Sequence, residues 1–144
     1  MYTNVTVKDW MTGSPITIDP MTPISMAHQI MKKNSIRRLP VVKDGKLAGI
    51  VTIGDIREAS PSDATTLSIW ELNYLWAQLT VEKVMTRSVV ATTPDTSILD
   101  AAEMMLEHKI SGLPVVEEGR VVGIITETDI FRMLIKQRNQ APTV

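Results

Sequence analysis

Gly49-Ile50-Val51-Thr52-Ile53-Gly54-Asp55-Ile56 is written a second time, with few changes, as Gly123-Ile124-Ile125-Thr126-Glu127-Thr128-Asp129-Ile130. In each copy a β-branched apolar run suited to a buried strand ends at a Thr, and an Asp three residues later opens a helix. Thr52 with Asp55, and Thr126 with Asp129, therefore stand at strand-to-helix junctions. The chemistry allows two readings. The pair can be a capping box, with the Thr as N-cap and the carboxylate at the third helical position, worth about 1 kcal/mol. It can also be a ligand turn, because the unpaired N–H groups of a helix start attract anions.

The duplication extends far beyond these turns. A shift of about 74 residues carries Met11 onto Met85, Thr12 onto Thr86, Pro20 onto Pro94, Ile24 onto Ile98, Ala27 onto Ala101 and Met31 onto Met105. The same register puts Ile36 on Ile110 and Leu39-Pro40-Val41-Val42 on Leu113-Pro114-Val115-Val116. A whole supersecondary unit is thus repeated. Each copy opens with a short helix, Val7 to Met11 or Val81 to Met85, then a Thr-x-Ser and a brief strand, Ile16 to Ile18 or Val89 to Ala91. Thr22 and Thr96 read as N-caps of helices that run to about Asn34 and Lys109, with Pro23 at the first helical position, where its missing N–H costs nothing. Ile24, Ala27, Ile30 and Met31 make the core face of the first of these helices, and Ile98, Ala101, Ala102 and Met105 that of the second.

Two strands follow in each copy, Leu39 to Val42 with Leu47 to Val51, and Leu113 to Val116 with Val121 to Ile125. They are joined by polar, Gly-bearing links at Gly45 and Gly119 that suit hairpins. The last helix spans about Thr128 to Lys136 in the second copy. In the first it is interrupted by a polar turn at 59–66, after which Ser68, three residues before Glu71, caps a further helix. The organisation read from the repeat is therefore 7–80, containing that turn and an aromatic helix over 68–79, then 81–138, then a frayed tail over 139–144.

Composition bounds the function. With 144 residues, 44% of them hydrophobic and 22% charged, the chain has the make-up of an ordinary globular protein. A formal net charge of −1 supplies no global attraction for nucleic acid or an anionic membrane, so any phosphate binding must be local. The absence of Cys excludes disulfides, thiolate metal sites and a Cys nucleophile. No apolar run reaches the roughly 20 residues that span a bilayer, and the first residues lack a signal-peptide core. A cytoplasmic location is expected. No metal site is expected either, since His28 and His108 have no companion ligands.

The Met-Thr-x-Ser opening, the Leu-Pro-Val-Val strand, the Gly-containing hairpin and the Gly-hydrophobic-x-Thr-x-x-Asp ending, all present twice in one register, closely resemble a tandem pair of CBS domains, a Bateman module, and are similar to those of the acetoin-utilisation type. The resemblance covers roughly Val7 to Met133. It implies an α/β (α+β) fold of two pseudo-symmetric β-α-β-β-α units packed through their sheets. It also implies a regulatory sensor of an adenosine-containing small molecule: AMP, ADP, ATP or S-adenosylmethionine as a regulatory ligand, with no obligatory cofactor.

On that resemblance Asp55 and Asp129 would accept hydrogen bonds from ribose hydroxyls, while Thr52 and Thr126 hold the turn and reach phosphate or ribose. Ser14-Pro15-Ile16 and Ser88-Val89-Val90, which follow Thr12 and Thr86, would line an adenine slot. Ile36, Pro40, Ile110 and Pro114 would wall it, as small-ligand sites require. Arg37-Arg38 falls on Ser111-Gly112, so one cleft would be more basic than the other. Those arginines are either phosphate contacts, for which a guanidinium fork is suited, or a solvated charged pair.

The aromatic helix carries Trp70, Tyr74 and Trp76, which serve either a homodimer contact or the core of one chain. No Ser-His-acid set, paired-carboxylate site or phosphate-binding loop emerges, so the chain is not expected to be an enzyme. The expected partners are the adenosyl ligand, a second copy of the chain and an effector protein that the sequence does not name. A structural dimerisation or adaptor module with vestigial clefts is the competing reading.

Overall fold

In the computed structural model, residues 4–59 and 68–140 are described. The elements in chain order are α1 (Val7–Trp10), β1 (Thr12–Gly13), α2 (Ile24–Asn34), β2 (Arg38–Lys43), β3 (Lys46–Thr52), α3 (Ile53–Ala59), α4 (Ile69–Gln78), α5 (Val81–Val84), α6 (Ile98–His108), β4 (Gly112–Glu117), β5 (Arg120–Thr126) and α7 (Glu127–Gln140). Of the polar turn expected at 59–66, Ala59 instead ends α3 and the rest lies outside the described residues; of the frayed tail expected at 139–144, residues 139–140 instead continue α7 and the rest lies outside the described residues.

Each copy builds its hairpin in the same way. Asp44 and Gly45, and Glu118 and Gly119, all have positive φ, which makes two-residue turns whose twist matches that of the strands they join. β2 pairs antiparallel with β3 and β4 with β5, and each ladder carries a bulge, at Val41/Val42 and at Val115/Val116. The expected first strands shrink to single parallel bridges, Ile18 with Val41 and Thr92 with Val115. In the second copy the bridging residue is thus one position beyond the expected Val89–Ala91. Its N–H donates to Pro114 O at 3.0 Å and its carbonyl accepts from Val116 at 2.8 Å.

The helix starts also differ by one residue from expectation. Pro23 and Ser97, not Thr22 and Thr96, are the N-caps, and the Ser97 hydroxyl accepts from Leu99 N–H at 3.2 Å. Thr96 is instead turned back into the preceding loop, its hydroxyl accepting from Thr93 N–H at 3.3 Å. Both helices end at a residue in the left-handed conformation, Ser35 and Lys109.

The chain forms two compact units that do not coincide with the sequence copies. The leading unit is drawn from Ile16–Val89, and the trailing unit from residues 4–15 together with 90–140. Each copy therefore sends its opening segment into the other's unit. In the trailing unit β1 adds to the edge of β5, Thr12 opposite Ile124 and Gly13 opposite Gly123. In the leading unit Thr86 makes the equivalent bridge to Ile50, with N–H···O distances of 3.0 and 2.9 Å.

The exchange explains a glycine in the middle of each third strand. A Cβ on Gly123 would sit 2.5 Å from Met11 Sδ and 2.9 Å from Thr12 O, and one on Gly49 would sit 2.6 Å from Met85 Sδ and 2.8 Å from Thr86 O. Each unit has its own core, Ile24, Met31, Leu39, Val51, Ile56 and Val81 in the leading one and Val7, Ile98, Met105, Leu113, Ile125 and Met133 in the trailing one. Val81 of α5 and Val7 of α1 are fully buried there, which is what anchors the exchanged segments.

The aromatic helix divides its side chains. Trp76 packs on the leading core and meets the His28 ring edge-on at 5.5 Å between centroids. Trp70 and Tyr74 are exposed, Trp70 to 84%. With Glu71 and Leu75 they line a shallow open depression on the outside of α4.

Candidate functional site

In the leading unit β3 ends at Thr52, and α3 begins at once. Thr52 N–H donates to Asp55 Oδ2 at 2.8 Å and Asp55 N–H donates to Thr52 Oγ1 at 3.2 Å, a reciprocal capping box. The adjoining Ile53 N–H donates to Arg37 O at 2.8 Å, and Arg38 stands opposite Thr52 in the ladder. Both arginines are thereby held beside the turn, Arg37 exposed and Arg38 half-buried. Thr86 lies along β3 through its bridge to Ile50, and the exposed Ser88 follows it.

The trailing unit repeats the frame with different chemistry. Thr126 N–H donates to Asp129 Oδ2 at 2.9 Å and the Thr126 hydroxyl donates to the same oxygen at 3.3 Å. Glu127 N–H donates to Ser111 O at 3.0 Å, and Gly112 stands opposite Thr126. Thr12 lies along β5, and Ser14 N–H reaches Val122 O at 3.4 Å with Ser14 itself at φ 48°. Asp129 is only 6% exposed, yet its other oxygen, Oδ1, faces the Arg132 guanidinium at 3.7 Å.

The predicted residues thus fall into two sets. Arg37, Arg38, Thr52, Asp55, Thr86 and Ser88 belong to the leading unit, and Thr12, Ser14, Ser111, Gly112, Thr126 and Asp129 to the trailing unit. Each set joins the turn of one copy to the opening segment of the other, a grouping that repeat boundaries alone do not give. Of the apolar candidates, Ile16 and Val89 belong to the leading unit and Pro15 to the trailing one. Ile36 packs on the leading core, and Val90 and Ile110 on the trailing core. Pro40 and Pro114 are buried in their strands, their carbonyls accepting from Ile18 and Thr92.

Arg132 was not among the predicted residues. Its signal was available, since a cation three positions after a carboxylate on a helix shares its face. Among the described residues no group of three or more His, Asp or Glu is placed to hold a metal ion, and no helix is long and apolar enough to cross a membrane.

The CBS domain family model matches residues 7–62 and 81–136. Among curated proteins, the chain is 32% identical over 124 residues to the CBS domain-containing protein YhcV of Bacillus subtilis, covering 86% of this chain and 81% of that protein. It is 36% identical over 129 residues to L-aspartate semialdehyde sulfurtransferase of Methanocaldococcus jannaschii, covering 88% of this chain but only 23% of the enzyme's length. The match to that enzyme is therefore to one part of a longer protein.

Among solved structures, the CBS domain pair of protein MJ0100 in complex with 5′-methylthioadenosine and S-adenosyl-L-methionine superimposes with a TM-score of 0.76 at 35% identity, over 92% of this chain and 98% of that one. CBSX2 in complex with AMP gives 0.76 at 28% identity, over 92% and 98%. The acetoin utilization protein AcuB from Vibrio cholerae gives 0.79 at 29%, over 96% and 98%. With two family matches that together take in most of its length, set on two turns of the same construction, this chain belongs to the CBS domain family.

Proposed function

We propose that the chain is a regulatory module that binds an adenosyl ligand at its two Thr-x-x-Asp turns and passes the change in shape to a partner protein. Asp55 and Asp129 accept hydrogen bonds from ribose hydroxyls, with Thr52 and Thr126 beside them. Thr12, Ser14, Pro15 and Ile16, and Thr86, Ser88, Val89 and Val90, supply the base-binding segments. Ile36, Pro40, Ile110 and Pro114 supply apolar surface, and Arg37, Arg38, Ser111 and Gly112 set the charge at the two entrances. The observation that carries the reading is the placement of Arg37 and Arg38 in one unit, and of Ser111 and Gly112 in the other, against a turn whose carboxylate keeps one oxygen outside the cap. The adenosyl and AMP complexes of similar CBS pairs support the ligand class. Regulation rather than catalysis, a homodimer and a cytoplasmic setting complete the proposal.

A second reading has its own observation: both carboxylates already satisfy backbone N–H groups, so the turns are complete as caps, and the module can be a dimerisation or adaptor element. Calorimetric titration with adenosine, AMP, ADP, ATP and S-adenosylmethionine separates the two. Saturable binding of at least one ligand, weakened about tenfold or more by Asp55→Ala or Asp129→Ala, is expected for a charge-assisted ribose contact. No binding by any of the five would leave the adaptor reading standing, whereas mutants that lose stability but not affinity would make the two carboxylates caps and remove their ribose role.

A further inference from the structure

The two turns are not electrostatically equivalent, and the difference does not lie only where the sequence copies first diverge. In the trailing unit the carboxylate has two separate engagements: Oδ2 takes the Thr126 N–H and hydroxyl, and Oδ1 faces Arg132 Nη1 at 3.7 Å. The Arg132 side chain is 69% exposed while that of Asp129 is 9% exposed, so a cation able to move in solvent stands over a fixed, buried anion. The register places Glu58 at the matching position of the leading unit, so Asp55 there has an acid where Asp129 has a base. The leading unit draws its positive charge from Arg37 and Arg38 on the strand side, where the trailing unit has Ser111 and Gly112.

We infer that Arg132 is the phosphate-selecting residue of the trailing site, occupying Asp129 Oδ1 in the free protein and transferring to a ligand phosphate when ribose hydroxyls take that oxygen. This rests on the adenosyl-ligand reading of the turns. A diol that donates to Oδ1 competes with the guanidinium 3.7 Å away for the charge on that oxygen, and a ligand without phosphate then leaves that cation with a weaker partner. A ligand with a phosphate on the 5′ side offers a replacement to which Arg donates two hydrogen bonds. Discrimination at this site is therefore a difference between two exchanges. The entrance that looks neutral from Ser111 and Gly112 gets its charge from the helix side.

The test is a titration of the full chain with adenosine and with AMP, followed by amide NMR, in wild type and Arg132→Gln. Gly112 and Gly123 report on the trailing unit and Gly49 and Gly54 on the leading one. The substitution should weaken AMP at the trailing reporters by about tenfold while leaving adenosine unchanged or slightly tighter, with the leading reporters unaffected. Arg132→Lys should recover part of the AMP affinity. Equal weakening of both ligands, or an AMP-to-adenosine ratio that does not move, overturns the inference while the ribose reading survives. Failure of either ligand to shift any reporter in the wild type overturns the ligand reading and this inference with it. The same spectra show whether the variant is folded.

Discussion

Gly123→Ala tests whether the exchange of opening segments is what holds the trailing site together. The added methyl carbon would lie 2.5 Å from Met11 Sδ, 3.1 Å from Met11 Cγ and 2.9 Å from Thr12 O. The thioether can swing away, but the carbonyl belongs to the β1–β5 ladder and cannot retreat without opening the Thr12–Ile124 pairing. Overpacking a well-filled site costs about 1–3 kcal/mol, and the backbone member of this contact argues for the upper half of that range. Urea unfolding at neutral pH reads the loss as a lowered midpoint with an unchanged slope.

Met11→Ala in the same background separates the two obstacles: it should relieve the sulfur contact, giving a coupling of about 1 kcal/mol, and still leave a deficit from Thr12 O. Gly49→Ala should behave alike, since its Cβ would meet Met85 Sδ at 2.6 Å and Thr86 O at 2.8 Å. Because Thr12 and Ser14 ride on the same pairing, ligand affinity should fall at the trailing unit with Gly123→Ala and at the leading unit with Gly49→Ala. A stability change within about 0.5 kcal/mol for both variants would mean that the segments tolerate displacement, and the reasoning from close approach would be refuted.

Three further outcomes are expected. Trp76→Ala should destabilise the fold by about 2 kcal/mol, in keeping with a half-buried ring, whereas Trp70→Ala should leave unfolding unchanged and weaken self-association; sedimentation velocity at micromolar concentration is the measurement, and a clean wild-type monomer would remove the dimer role. Replacing Arg37-Arg38 by Ser-Gly should lower ATP and ADP affinity at the leading unit more than adenosine affinity, and the gap should narrow with added salt. Asp9 accepts from the Thr6 N–H at 3.0 Å and the Thr6 hydroxyl at 3.1 Å, and these bonds hold its carboxyl below the usual 3.8. Its contribution is therefore present at neutral pH and lost as pH falls below 3.8 through the lower folded value, so the stability difference between wild type and Asp9→Asn should be full at neutral pH and shrink steadily on acidification below 3.8.

What the sequence made legible follows from where its signals are local. The hairpins could be placed because Asp44-Gly45 and Glu118-Gly119 carry their own turn chemistry, and the Thr-x-x-Asp caps because the spacing is the bond. The N-cap of α6 falls one residue after the expected Thr96 because Thr96 and Ser97 both offer a hydroxyl. The loop, by taking Thr96 for Thr93, left Ser97 to the helix. The grouping of site residues was not legible, because a repeat register says which residues are alike and nothing about which ones touch.

Two traces of the exchange were nevertheless in the chain. Gly49 and Gly123 interrupt apolar runs at positions where a strand gains nothing from glycine unless another backbone comes close. The aromatic helix carried a similar trace. Trp70 and Tyr74, four residues apart, share one face, while Trp76, six residues from Trp70, lies about 120° around the helix at roughly 100° per residue, so one helix could not offer all three rings to the same neighbour. The structure divides them accordingly, with Trp76 on the core against His28 and Trp70 with Tyr74 in solvent. Arg132 belongs to the same class of evidence: its spacing from Asp129 was readable, but the role inferred for it rests on Asp129 being buried with Oδ1 facing the guanidinium, a property of packing that no spacing encodes.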